Sequence, residues 1–140
     1  MMAENIKLEV VTPEKSVVSE EAQIVMPPGS LGEFGVLPGH TPFLTTLKIG
    51  TIRYKDAGGA EKYVFVNSGF AEALPDKVTV LAESAERRKD IDVERAKAAM
   101  ERAEKRLAED RSKADIDFNR AKLSLARAIE RIRLIELRNQ

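Results

Sequence analysis

Apolar and polar residues follow two different rhythms along this chain. In the first part they alternate or come in short runs. Ile6-Lys7-Leu8-Glu9-Val10 has period two, the pattern of a strand with one buried face. Ile24-Val25-Met26 ends at Pro27-Pro28-Gly29. Thr51-Ile52-Arg53-Tyr54 and Tyr63-Val64-Phe65-Val66 flank Asp56-Ala57-Gly58-Gly59, which predicts a β-hairpin. Val78-Thr79-Val80-Leu81 follows a turn signal at Pro75-Asp76. Short strands with frequent turns predict an antiparallel β-sandwich or barrel over residues 1–86.

The rhythm then lengthens. Val93, Ala96, Met100, Ala103 and Leu107 recur at steps of three and four. The pattern lapses around Glu109-Asp110-Arg111-Ser112. It resumes with Phe118, Ala121, Leu125, Ala128, Ile132 and Ile135. Two antiparallel helices joined by a polar turn are expected over residues 90–138. Asp92 is placed to cap the first helix, and Glu94 suits the positive end of its dipole. Alanines at seam positions let the helix axes approach closely. Leu123, Ile129, Leu134 and Leu137 fall off the seam and form a second apolar strip that needs another surface. The fold class is α+β, in two parts. Punctuation agrees with this division: all eight glycines lie at or before Gly69, and all six prolines at or before Pro75.

Composition narrows the chemistry. The 140 residues include no Cys, no Trp and one His. Thiolate chemistry, disulfides and a multi-His metal site are excluded. No apolar run reaches the length of a membrane span, and the first residues lack the pattern of a signal peptide, so a cytoplasmic setting is expected. Lys and Arg number 23, as do Asp and Glu, which argues against bulk nucleic-acid binding. That balance is a sum of unlike parts. Residues 1–89 carry 10 positive and 12 negative charges, residues 90–110 carry 5 and 7, and residues 111–140 carry 8 and 4. The second helix is basic.

Three features are candidates for chemistry. The glycine-rich stretch from Gly29 to His40 lacks the strand–glycine–helix context of a phosphate loop, because Pro38 and Pro42 block a helix; turns and bulges between strands fit better. His40 has no activated nucleophile beside it, and reads as a structural or contact residue. The arginines say more. Arg120, Arg127 and Arg131 share one helical stripe, and Arg95, Arg102 and Arg106 repeat the spacing on the first helix. Such a stripe is a solvated, salt-bridged face, an anion site of guanidinium forks, or a dock for an acidic partner. Spacing does not separate these uses.

Several segments together resemble the epsilon subunit of bacterial F-type, proton-translocating ATP synthase. Gly32-Glu33-Phe34-Gly35-Val36-Leu37-Pro38-Gly39-His40-Thr41-Pro42 is similar to its Gly-x-x-Gly-x-x-Pro-Gly-His-x-Pro segment. Leu47-Lys48-Ile49-Gly50 and Asn67-Ser68-Gly69-Phe70-Ala71-Glu72 also resemble that family. Ile91-Asp92-Val93-Glu94-Arg95-Ala96 is similar to the motif that opens its C-terminal hairpin. Ser124 and Ile132 depart from its usual Ala and Leu.

The resemblance implies a non-catalytic central-stalk subunit on the cytoplasmic face of the bacterial inner membrane, attached to the membrane only through its complex. Its β-sandwich would bind the gamma subunit and the c-subunit ring, with Glu33 in the loop facing the ring and His40 near the rotor-binding surface. Its hairpin would fold on the sandwich or extend toward the alpha/beta catalytic head and inhibit ATP hydrolysis, Arg120, Arg127 and Arg131 facing an acidic segment of beta. No cofactor is required. A regulatory ATP, where bound, would contact Glu86, Ile91, Asp92, Arg95, Ala96, Arg127 and Arg131. No metal site is implied. The rival reading is a free-standing adaptor or chaperone-like module that grips a partner with the hairpin.

Overall fold

The alternation at the start of the chain becomes strand β1 (Ile6–Val11), with Ile6, Leu8 and Val10 fully buried. The computed structural model describes residues 5–109 and 115–137. After β1 come β2 (Ser16–Met26), β3 (Pro28–Gly29), β4 (Gly32–Glu33), β5 (Phe43–Leu47), β6 (Gly50–Asp56), β7 (Glu61–Leu74) and β8 (Lys77–Arg87). A 3-10 turn at Arg88–Asp90 leads to helices α1 (Val93–Glu109) and α2 (Asp115–Glu136).

Two long strands close the sandwich. The first half of β7 pairs with β6, and its second half pairs with β5. β8 runs antiparallel to β7 along most of its length. Its first half also pairs with β1, in the one parallel ladder among the described strands. β1, β2, β6, β7 and β8 thus form a closed circuit. The two halves of β7 meet at Ser68 and Gly69, where φ is 48° and 137°. A Cβ at Gly69 would run into the Leu81 carbonyl oxygen of the neighbouring strand, so only glycine fits. The core between the layers is aliphatic, built on residues such as Leu8, Val25, Ile52, Val66 and Val80.

The predicted hairpin between β6 and β7 is present. The Asp56 carboxylate accepts from the N–H groups of Gly58 (3.0 Å) and Ala60 (2.9 Å), and Gly59 has φ of 88°. The glycine-rich stretch forms the small β3–β4 pairing and a bridge from Val36 to Val25. It enters no helix, as expected. The N-terminal half of β2, the whole of β5 and the outer halves of β7 and β8 extend beyond the runs that patterning marked.

The helical part follows its periodicity. Asp92 caps α1, its carboxylate accepting from the Arg95 N–H at 3.1 Å. Ala96, Ala103, Ala121 and Ala128 are buried, as the close-approach seam requires. The start of α1 and the end of α2 lie side by side, since Val93 and Ile135 line one cavity. The helices are therefore antiparallel. Residues 110–112 of the expected connecting turn lie outside the described residues.

Candidate functional site

The sheet meets the hairpin along a row of residues. Register places Thr51 of β6, Phe65 of β7 and Glu86 of β8 side by side across three strands. Cross-strand neighbours share a face, so all three present to α2. The Thr51 hydroxyl donates to Glu130 Oε2 at 2.7 Å. Arg131 Nε donates to Glu86 Oε1 at 2.6 Å, and its guanidinium sits 4.3 Å from the Phe65 ring centroid. Leu134 and Phe65 are both completely buried and pack together, with Ile135 alongside. Leu134 is one of the four residues that patterning left off the helical seam. It finds its surface here; Leu123, Ile129 and Leu137 stay exposed.

The next row repeats the arrangement. Arg53 pairs with Tyr63 across β6 and β7. Arg88 lies 5.5 Å over the Tyr63 ring and donates to the Ile135 carbonyl at 3.1 Å, which ties the linker to the last turn of α2. Arg133 pairs with Glu130 at 3.3 Å and holds that carboxylate beside Thr51.

The seven residues expected around ATP are distributed as follows. Glu86 and Arg131 are in direct contact. Ile91 is buried in the Phe65 cluster, and Ala96 is buried between the helices. Asp92 turns back to cap α1, and Arg95 is exposed. Arg127 donates to Ser124 Oγ at 3.1 Å on its own helix. The structure thus brings Glu86 to Arg131 and leaves Arg127 engaged by the residue that departs from the family's usual Ala.

The partner-binding candidates occupy three other places. Glu33 lies in β4 and pairs with Arg53 at 2.6 Å, both about half exposed. Its carboxylate raises the Arg53 pKa further by accepting that hydrogen bond. His40 Nδ1 lies 2.7 Å from the Thr41 carbonyl oxygen, and its ring stands 5.0 Å from Phe43. Arg120 is exposed on α2. Among the described residues no group of three or more His, Cys, Asp or Glu is placed to hold a metal ion, and no helix is long and apolar enough to cross a membrane.

Sequence reasoning missed one cluster at the edge of the sandwich. Tyr54 Oη donates to Glu20 at 2.6 Å, and Lys62 Nζ reaches Glu20 and Asp56, each at 3.1 Å. Burial pushes the Glu20 carboxyl up, but the hydrogen bonds from Tyr54 and Lys62 and the charge of Arg87 outweigh it and hold the pKa below its ordinary value. The Tyr54 phenol is pushed up by burial and by its bond to Glu20. The period-two pattern marked Tyr54 as a strand residue, but nothing local joins it to a carboxylate 34 positions earlier.

A β-sandwich with a helical hairpin docked on it by two rows of polar and aromatic contacts defines a two-part module. Known proteins match each part. Residues 5–88 match the ATP synthase delta/epsilon chain beta-sandwich domain, and residues 89–136 match the long alpha-helix domain of the same chains. The chain belongs to the delta/epsilon chain family of ATP synthase subunits. It is 75% identical over 108 residues to the ATP synthase epsilon chain of Desulforapulum autotrophicum, covering 77% of this chain and 80% of that one. It is 69% identical over 106 residues to the epsilon chain of Desulfosudis oleivorans, covering 76% and 80%. A chain in the cryo-EM structure of Euglena gracilis mitochondrial ATP synthase, OSCP/F1/c-ring, shares the fold at a TM-score of 0.78 and 21% identity, covering 93% of this chain and 81% of that one.

Proposed function

We propose that this chain is a non-catalytic central-stalk subunit of an ATP synthase, with a sandwich that binds the gamma subunit and the c ring and a hairpin that restrains ATP hydrolysis. It sits peripherally, on the cytoplasmic face of the membrane, through its complex. Family membership supports the assembly role. One observation carries the regulatory role: α2 is held to the sandwich by Leu134 and a few polar contacts, while Leu123 and Ile129 remain exposed on the same helix and Leu137 just past its end. An element docked by so few groups, with apolar surface to spare, is suited to exchange one partner for another. Extended, it would carry Arg120, Arg127 and Arg131 to an acidic segment of the beta subunit.

ATP would favour the folded state, because folding brings arginines of both helices to one place. It would be held by Arg95, Arg127 and Arg131, with Glu86, Ile91, Asp92 and Ala96 around it. In this structure Glu86 and Arg131 satisfy each other, so the nucleotide must displace Glu86 from Arg131 and draw Arg127 from Ser124. Both exchanges oppose binding. Nucleotide is then a modulator of the docked hairpin, working against the Glu86–Arg131 pair.

The assembled enzyme tests the function. Removing residues 88–140 is expected to raise ATPase activity and leave the sandwich attached to gamma and the c ring. Unchanged ATPase activity contradicts the inhibitory role, and failure to co-purify with gamma and the c ring favours a free-standing adaptor. For the nucleotide, calorimetry on the isolated chain is expected to show weak ATP binding that Arg127→Ala abolishes. No heat at millimolar ATP rejects it.

A further inference from the structure

β7 runs further than its neighbour. The last β7–β8 pair is Val64 with Arg87, while β7 begins at Glu61. Beyond that pair the chain turns away through Arg88–Asp90 toward α1. Glu61–Tyr63 stay paired with β6 but have no strand on the β8 side, and a cavity of about 650 Å³ opens there. Its size falls within the usual range of small-molecule sites, about 300–1,000 Å³.

The walls differ in character. The linker and helices contribute Ile91, Val93 and Ile135. The strands and linker contribute Lys62, Arg87, Arg88 and Lys89, opposed by the single acid Glu61. Some of this charge is already committed. Lys62 is neutralised by Glu20 and Asp56, and Arg87 lies 3.9 Å from Glu20. Arg87 Nε donates to the Val17 carbonyl and Arg88 Nη2 to that of Ile135. Each guanidinium has five N–H donors, so most of Arg88 remains available. Lys89 is exposed and has no ion pair among the described residues. Guanidinium and ammonium groups around an apolar hollow fit an anion that carries an apolar body.

We infer that this junction cavity binds a small organic phosphate, its phosphate on Arg88 and Lys89 and its apolar portion against Ile91, Val93 and Ile135. The site is distinct from the residues expected around ATP save for one shared wall residue. Of those seven only Ile91 lines it. It also has a conformational consequence. Ile135 forms part of the wall, and Arg88 is fixed by the Ile135 carbonyl. The cavity is complete only while the end of α2 is docked, so an occupant holds the hairpin down.

The two tyrosines of the chain, Tyr54 and Tyr63, both line the cavity, and there is no Trp. Tyrosine emission of the full-length protein therefore reports on this site. Titration with n-hexyl phosphate is expected to give a saturable change in emission and slower amide exchange over the last two turns of α2. Inorganic phosphate and hexanol, each offering half of the recognition, should bind at least about tenfold more weakly, as should Lys89→Glu and Arg88→Gln, given what a charge-assisted hydrogen bond contributes. Arg127→Ala should leave the titration unchanged. Lys89→Glu alters an exposed side chain, so it decides the matter if Arg88→Gln loosens the hairpin. No saturable change, a titration indifferent to Lys89→Glu, or one lost in Arg127→Ala overturns the assignment.

Discussion

The sandwich and the hairpin bury their residues in different ways, and stability follows. Between the sheet layers lie fully buried Ile6, Leu8, Val10, Ile52 and Tyr54. Burying a large aliphatic side chain contributes about 1.5–3 kcal/mol. Between the helices lie alanines, which bring the axes close and remove little apolar surface from water. Among the described residues of the hairpin the largest fully buried side chain is Leu134, and it is buried against the sheet. The sandwich stands on its own core; the hairpin depends on where it docks.

Substitutions can widen or erase that difference. The largest effect is expected at Gly69, where Gly69→Ala meets both a left-handed φ and the Leu81 carbonyl; soluble folded protein should be lost, as judged by expression and circular dichroism. Leu134→Ala should cost the hairpin about 2–5 kcal/mol of docking, because it empties the contact with Phe65. Limited proteolysis should then cut α2 while the sandwich keeps its melting temperature. If both parts melt earlier together, they are one cooperative unit and the comparison fails. Glu86→Gln should loosen docking by roughly 1–2 kcal/mol, since it weakens a charge-assisted hydrogen bond that is partly open to solvent. It also frees Arg131, so ATP should bind this variant more tightly by calorimetry.

The smallest effect concerns pH and belongs to the sandwich. Glu20 titrates below its ordinary value in the folded protein, so the unfolded chain takes up its proton first as pH falls. Its stabilisation is complete above the ordinary carboxylate pKa and is lost as pH drops through the lower folded value. Glu20→Gln should flatten the acid side of the melting-temperature profile and leave hairpin proteolysis unaffected.

Patterning along the chain carried the two-part layout because each part has its own apolar period. It also marked Leu134 as needing a partner, since that residue falls off the helical seam. The partner itself is non-local. Thr51, Phe65 and Glu86 become neighbours only through the register of three strands. One local sign of the dock exists. Val64, Phe65 and Val66 are all apolar, a run that breaks alternation, and all three are buried because α2 covers the second face of β7. Arginine spacing put Arg127 and Arg131 on one stripe, yet their partners differ, Ser124 for one and Glu86 for the other. A helical stripe fixes direction, while the identity of the facing carboxylate depends on the sheet.

The way β8 is held has a mechanical side. Lys77–Leu81 is paired on both flanks, with β1 and with β7, whereas the stretch from Ala82 to Arg87 is paired with β7 alone. A pull on the hairpin reaches Arg87 first and would peel those single-sided bonds one at a time. It would then meet a segment clamped from both sides, where the bonds must break together. The strand acts as a tether with a weak outer length and an anchored root, so a hairpin under tension can gain reach while the sandwich stays closed.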